Sequence, residues 1–295
     1  MFTGKLFGGA VAPIEPLLLA QSRTTISFLL LAPVLWMVRG SVRLVLPWRD
    51  ALRGLLLGVG GLAVANYTYY LAIQKTTVAT AIILQYTAPV WVLLFMLATR
   101  RQRATLPRTA GVLLAVAGCV FAIGTFAGQA RFPFLTAAGI LKLNTIGVLA
   151  AQAAAVSFAF YNVYGRHMVK RYDHWVVITY ALLGASLLWI VVNPPWRILA
   201  KHYTGGQCAF LALFAVVSML VPFSFYFAGL KHLDATRAIV TSCLEPVFCI
   251  VIAAATLGEA VSGLQVAGIA LVLGATVLVQ RPEGQEQVEV VELGE

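Results

Sequence analysis

The stretch QYTAPVWV (Gln85–Val92) has a counterpart in SCLEPVFC (Ser242–Cys249), which sets Pro89 opposite Pro246 at an offset of 157 residues. Moving outward without a gap, Gly111 in TAGVLLAVAG meets Gly268 in VAGIALVLG. The same offset pairs Tyr69 with Tyr226, Ala81-Ile82 with Ala238-Ile239, Ala98-Thr99 with Ala255-Thr256, Leu114 with Leu271 and Val120 with Val277. A register held from about Val64 to Val277 reads as a duplication. In an apolar chain, duplicated halves are the usual trace of a secondary transporter whose substrate site lies between the repeats at mid-membrane.

Composition identifies the solvent. Of 295 residues, 60% are hydrophobic and only 11% are charged, with a mean hydropathy of +0.88. A water-soluble domain has nowhere to hide this much apolar surface, so the solvent is lipid. A net charge of +10 would suggest nucleic acid in a soluble protein. Here the basic residues fall between apolar runs, so they report orientation in the bilayer and no nucleic-acid partner is expected. Cys119, Cys243 and Cys249 lie in apolar runs and Cys208 at the edge of one, without metal or disulfide spacing. They read as small apolar residues.

Nine runs are long enough to span: roughly 23–38, 55–73, 78–98, 110–126, 146–164, 175–192, 208–229, 238–257 and 264–280. Unpaired backbone groups are too costly in hydrocarbon for anything but helices or a closed barrel. These runs are too long and too continuously apolar for barrel strands. The expected fold is an all-α polytopic membrane protein. MFTGKLFGGAVAPIEPLLLAQ (residues 1–21) is too short and too broken for a span plus a loop, and matches only the end of LAAQAAAVSFAFYNVYGRHMVKRYDHWVV (residues 149–177). The first repeat is therefore expected to lack most of its opening helix through a misplaced start, leaving nine full helices and a stub. The expected organisation is a first repeat over 1–126, an extracytoplasmic linker over 127–144, a second repeat over 145–280 and an acidic cytoplasmic tail over 281–295. That tail, with Glu283, Glu286, Glu289, Glu292 and Glu295, reads as solvated and disordered.

Alternate loops collect fourteen basic residues on one side (Arg39, Arg43, Arg49, Arg53, Arg100, Arg101, Arg103, Arg108, Arg166, Lys170, Arg171, Lys231, Arg237, Arg281) against five on the other (Lys75, Arg131, Lys142, Arg197, Lys201). The richer side is cytoplasmic, and the C-terminus with it. A five-helix repeat is odd in number, so its second copy inserts upside down, the arrangement used for alternating access.

Four segments carry a family resemblance: IEPLLLAQSR (Ile14–Arg23), NYTYYLAIQKTTVATAIILQYTAPVWV (Asn66–Val92), SFAFYNVYGR (Ser157–Arg166) and AGLKHLDATRAIVTSCLEPVFCIVIA (Ala228–Ala253). The chain resembles the drug/metabolite transporter superfamily, in particular its ten-helix EamA branch. That resemblance implies five-plus-five inverted repeats in the inner membrane and transport of small metabolites such as amino acids, purines or drugs. Where many members carry Trp in the sixth helix, this chain has Phe158, which keeps an aromatic wall but loses its hydrogen-bond donor.

An ionisable group inside a span costs roughly 2.5–3.5 kcal/mol for Asp, Lys or Arg, so it usually has a use. Glu245 sits about seven residues into its run, about 10 Å deep, and Pro246 withholds a backbone donor from the carbonyl one turn earlier. Its functional reading is a proton-linked or ammonium-binding carboxylate; the structural one is an acid that fixes a broken helix. Asn66, Tyr69 and Tyr70 share one helix face by their i, i+3, i+4 spacing. Gln85 and Tyr86 precede Pro89, Phe158 and Tyr161 stand three apart, and Tyr226 is the mate of Tyr69. With Ser242 and Glu245 these are the expected substrate-binding residues. Singly, such aromatics are as often packing residues or interface-belt residues.

No Lys or Arg is expected in mid-span: Arg23 reads as starting its helix near the surface, where snorkelling accounts for it. A doubly charged phosphate ester would then lack a counter-ion. His167, His174, His202 and His232 read as loop or loop-edge residues, so no catalytic, metal or cofactor site is expected. Gly54, Gly58, Gly61, Gly111, Gly118, Gly268 and Gly274 suggest close helix packing. A homodimer is compatible with them, although a monomer suffices.

The expected function is export of small neutral or zwitterionic metabolites such as amino acids, by alternating access around a central cavity between the repeats. The alternative is a drug, cation or nucleobase exporter with proton coupling through Glu245. A membrane-embedded enzyme lacks the clustered acids or histidines it would need, and a structural role gives no reason for inverted duplication.

Overall fold

The computed structural model describes residues 16–40, 45–76, 78–102, 104–124, 144–194, 196, 204–257 and 261–280. Residues 1–15 of the expected stub, most of the linker and the acidic tail lie outside the described residues. The described helices are α1 (Pro16–Arg39), α2 (Trp48–Lys75), α3a (Val78–Gln85), α3b (Ala88–Ala98), α4 (Leu106–Gly124) and α5 (Thr145–Arg171). They continue with α6 (His174–Val192), α7 (Gly205–Leu230), α8a (Ala235–Ser242), α8b (Glu245–Leu257) and α9 (Gly263–Gln280). Eight spans among the described residues are long and apolar enough to cross a membrane, so the chain is an all-α polytopic membrane protein.

Several sequence boundaries need correction, each for a physical reason. Pro16–Arg39 is a continuous 24-residue helix, so residues 16–21 of the expected stub belong to the same helix as Arg23. Proline is preorganised for a helix's first turn, where its missing N–H is no loss. Arg23 is consequently seven residues inside α1, not at its start. Arg49, Arg53, Arg108, Arg166, Lys170, Arg171, Arg237 and Lys75, assigned to loops, sit in helices. Their apolar stems let a helix run past its hydrophobic stretch into the interface. His167 is likewise within α5. The runs that carry Pro89 and Pro246 are each broken in two, at Tyr86-Thr87 and at Cys243-Leu244. Neither Pro89 nor Pro246 has an N–H to continue the helical ladder.

Two compact units divide the described chain, one made of Met1–Tyr70 with Tyr164–His232, the other of Leu71–Val163 with Leu233–Glu295. Each unit draws on both copies of the repeat. In the first unit, α6 lies against α1 and α2. A Cβ on Gly54 would come within 2.7 Å of Tyr180 Cβ, and on Gly58 it would strike the Ala181 carbonyl oxygen. Such backbone approach is how helices gain contact where lipid supplies no hydrophobic drive. Trp189, Leu57, Ile178, Leu182, Met219 and Phe227 fill this core. Gln21 and Asn193 exchange bonds, Gln21 Nε2 donating to the Asn193 carbonyl (2.9 Å) and Asn193 Nδ2 to Gln21 Oε1 (2.8 Å). Tyr172, in the turn after α5, donates its hydroxyl to Asp50 Oδ2, and that bond holds the phenol above its ordinary range. Within α2 and α7 the helix loosens into π segments at Leu57–Ala63 and Val216–Leu220. The second falls 157 residues beyond 59–63, so the irregularity is duplicated with the sequence.

In the second unit the repeat mates α4 and α9 pack on each other along their glycines. A Cβ on Gly118 would lie 2.9 Å from the Gly268 carbonyl oxygen, and one on Gly268 would lie 2.5 Å from the Ala122 nitrogen. Gly274 has nothing within 4 Å of an added Cβ, so it takes no part in the expected packing strip. Val112, Ala115, Cys119, Val240, Cys243 and Val272 form the core between α4, α8a and α9. A smaller cluster joins α3b, α5 and α8a through Val92, Met96, Ala155, Ala159 and Ile239. Asp234 caps α8a by accepting from the Arg237 backbone (2.8 Å) and pairs with Arg237 (3.3 Å) and Arg108 (3.5 Å).

Candidate functional site

The breaks in α3 and α8 position the polar groups of the second unit. At the first, Thr87 N bonds to the Leu84 carbonyl (3.2 Å); at the second, Leu244 N bonds to the Thr241 carbonyl (3.0 Å). Each break is thus a tight turn, after which a new helix opens at Ala88 or at Glu245. Pro89 offers no donor to the Gln85 carbonyl, nor Pro246 to that of Ser242, which leaves carbonyl oxygen at both breaks for other partners.

The two breaks are joined by side chains. Tyr86 donates its hydroxyl to Glu245 Oε2 at 3.1 Å, linking one copy of the repeat to the other. Glu245 is the first residue of α8b, where the helix dipole and free N–H groups favour a carboxylate. Tyr86 is half-buried, whereas Glu245 is exposed on the unit's surface. Ser242 turns its hydroxyl back onto the Ala238 carbonyl (3.1 Å). Gln85 stands half-buried on the last turn of α3a.

Sequence reasoning missed a second polar group at the α3 break. Thr87 Oγ1 (3.2 Å) and Trp91 Nε1 (3.0 Å) both donate to Gln152 Oε1 of α5. Residue 86 of the break therefore reaches α8, while residue 87 reaches α5. An amide in the run LAAQAAAVSF was a visible signal, but its partners are 65 and 61 residues away. Also on α5, the rings of Phe158 and Tyr161 stack at 6.5 Å and 18°. Tyr161 is only 1% exposed and belongs to the core.

Asn66, Tyr69, Tyr70 and Tyr226 belong to the first unit. Asn66 Nδ2 donates to the carbonyl of Leu62 (2.7 Å), at the π segment of α2. Tyr69 and Tyr70 lie tilted at 5.7 Å, and Tyr226 stands between Phe223 and Phe227 at 6.5 and 6.1 Å. A groove of about 560 Å³ in this unit, lined by Leu30, Val34, Val216, Val221 and Phe225 among others, contains none of the expected site residues. Among the described residues no three His, Cys, Asp or Glu side chains gather closely enough to hold a metal ion.

Comparison with known proteins supplies the context for this geometry. A profile of the EamA-like transporter family matches residues 2–124 and 145–281. The uncharacterized inner membrane transporter YicL of Salmonella typhimurium is 25% identical over 78% of this chain and 73% of its own. The aromatic amino acid exporter YddG of Ancylobacter novellus is 26% identical over 76% of each chain. One solved crystal structure aligns with a TM-score of 0.71 at 24% identity, over 90% of this chain and 88% of its own. That last likeness bears on fold alone.

Proposed function

The chain belongs to the EamA-like transporter family, and from that premise we propose that it is a secondary exporter of small neutral or zwitterionic metabolites, amino acids in particular. Transport proceeds by alternating access around a cavity between two inverted repeats, residues 1–126 and 145–280. The observation that carries this reading is the Tyr86–Glu245 hydrogen bond, which ties the helix break of one repeat to that of the other. A bond across duplicated breaks gives a solute one place to act on both halves. Glu245 receives the solute's ammonium, and Tyr86 exchanges its bond to the carboxylate for one to the solute. Gln85 and Ser242 contribute carbonyl oxygen at the same breaks, and Phe158, backed from the core by Tyr161, contributes an aromatic face in the same unit. Asn66, Tyr69, Tyr70 and Tyr226 offer amide and aromatic contacts to the solute within the first unit. The aromatic amino acid exporter among the relatives supports this solute class.

Counterflow of labelled L-phenylalanine in proteoliposomes tests the reading. Accelerated uptake into phenylalanine-loaded vesicles is the expected result, and absence of flux for every amino acid offered removes the substrate class. The exposed carboxylate of Glu245 favours one second reading, export of organic cations or nucleobases coupled to protons. In either case Glu245→Gln lowers flux and flattens its dependence on pH, because the only proton-accepting group of the site is gone. Transport unchanged from acid to alkaline pH takes Glu245 out of the mechanism.

A further inference from the structure

Arg23 interrupts an otherwise apolar helix within the run Gln21-Ser22-Arg23-Thr24-Thr25. It lies seven residues past Pro16, about 10 Å along α1 at 1.5 Å per residue. A snorkelling arginine would turn toward the nearer interface. This one reaches across to α7, where Nη2 donates to the Ser218 carbonyl at 3.1 Å and the guanidinium stands 5.8 Å from the Phe214 ring centre. Ser218 is thirteen residues from Gly205 and twelve from Leu230, the midpoint of the helix that carries it. The charge is therefore held near mid-depth.

Its hydrogen bonding is unfinished. A guanidinium has five N–H donors and no acceptor. One donor is used on Ser218, and Nε is buried without a partner. Among the described residues no carboxylate lies within ion-pair reach of Arg23. Ser218 belongs to the π segment Val216–Leu220, a local irregularity of the kind found frequently at functional sites.

We propose that Arg23 binds the carboxylate of a solute that reaches the middle of the membrane through this protein. The planar fork matches a carboxylate, and a single positive charge matches a single negative one. Lipid phosphates lie outside the roughly 30 Å hydrocarbon core, away from a group held at mid-depth. Solute access to that depth rests on the transport reading above; the binding measurement below does not need transport to occur.

The purified protein in nanodiscs of phosphatidylcholine is titrated with L-phenylalanine, L-phenylalaninamide, phenylacetate and phenethylamine while its thermal unfolding midpoint is followed. The carboxylate probes are expected to raise the midpoint at concentrations at least tenfold lower than the two amines that lack a carboxylate. Arg23→Gln keeps a donor for the Ser218 carbonyl but no charge, and should erase that tenfold preference. Arg23→Lys, which keeps the charge without the fork, should retain part of it and also guards against a folding defect in the first variant. Glu245→Gln should weaken protection by the amine probes and leave protection by phenylacetate, which has no ammonium, unchanged, so failure of the Glu245 reading and failure of this one are separable. An Arg23→Gln protein with the preference intact, or a wild type protected by no carboxylate probe, overturns the assignment. Arg23-dependent protection that appears only when phosphatidylglycerol replaces part of the lipid assigns the residue to headgroups and overturns it as well.

Discussion

A tyrosine hydroxyl on a carboxylate at a helix N-terminus is an interaction a solute can contest. The Tyr86–Glu245 bond is 3.1 Å long and Glu245 opens α8b, so the helix N-terminus shares the work of holding the carboxyl group. Losing the bond therefore matters little to folding. Tyr86→Phe keeps the ring in its core cluster and deletes only the hydroxyl, a change of about 1 kcal/mol. Counterflow by Tyr86→Phe should fall about fivefold, with a thermal unfolding midpoint close to that of wild type. A variant that transports normally would reduce the bond to a bystander. Gln152 makes a parallel case: as the acceptor for both Thr87 and Trp91, it holds the other side of the same break in place.

Among the elements, irregularity is duplicated as faithfully as sequence. The π segments of α2 and α7 and the breaks of α3 and α8 recur at the same offset. Each frees backbone groups that a straight helix would satisfy, which a membrane tolerates only in protein or beside a cavity. Asn66 supplies the donor for Leu62 in one π segment, and Arg23 supplies it for Ser218 in the other. The straight helices α4 and α9 are joined by backbone contact, which yields a graded expectation. Gly118→Leu forces a side chain into the Gly268 carbonyl and Val272 and should cost about 1–3 kcal/mol or prevent folding. Gly274→Leu meets open space and should change stability by less than about 0.5 kcal/mol. Thermal unfolding in detergent compares them; equal loss in both would refute packing of α4 against α9.

At the scale of the whole molecule, the distribution of basic residues bears on orientation in the membrane. The proposal that the C-terminus is cytoplasmic predicts bright green fluorescent protein fused after Gln280 and inactive alkaline phosphatase at the same point; the reverse pattern would invert the assignment. The sequence by itself determined the solvent, the helical class and the duplication, because these depend on residue chemistry and on spacing along the chain. Tertiary structure alone decided that Tyr86 meets Glu245 across 159 residues, that Thr87 and Trp91 share Gln152, that Tyr161 is core and that Gly274 packs against nothing. It also moved Arg23 from the start of its helix to seven residues inside it, against Ser218 of α7. The physical reason is the same each time: a side chain's partner depends on which helices lie beside it and on where each helix begins. Periodicity fixes the face of a helix and leaves its neighbour open.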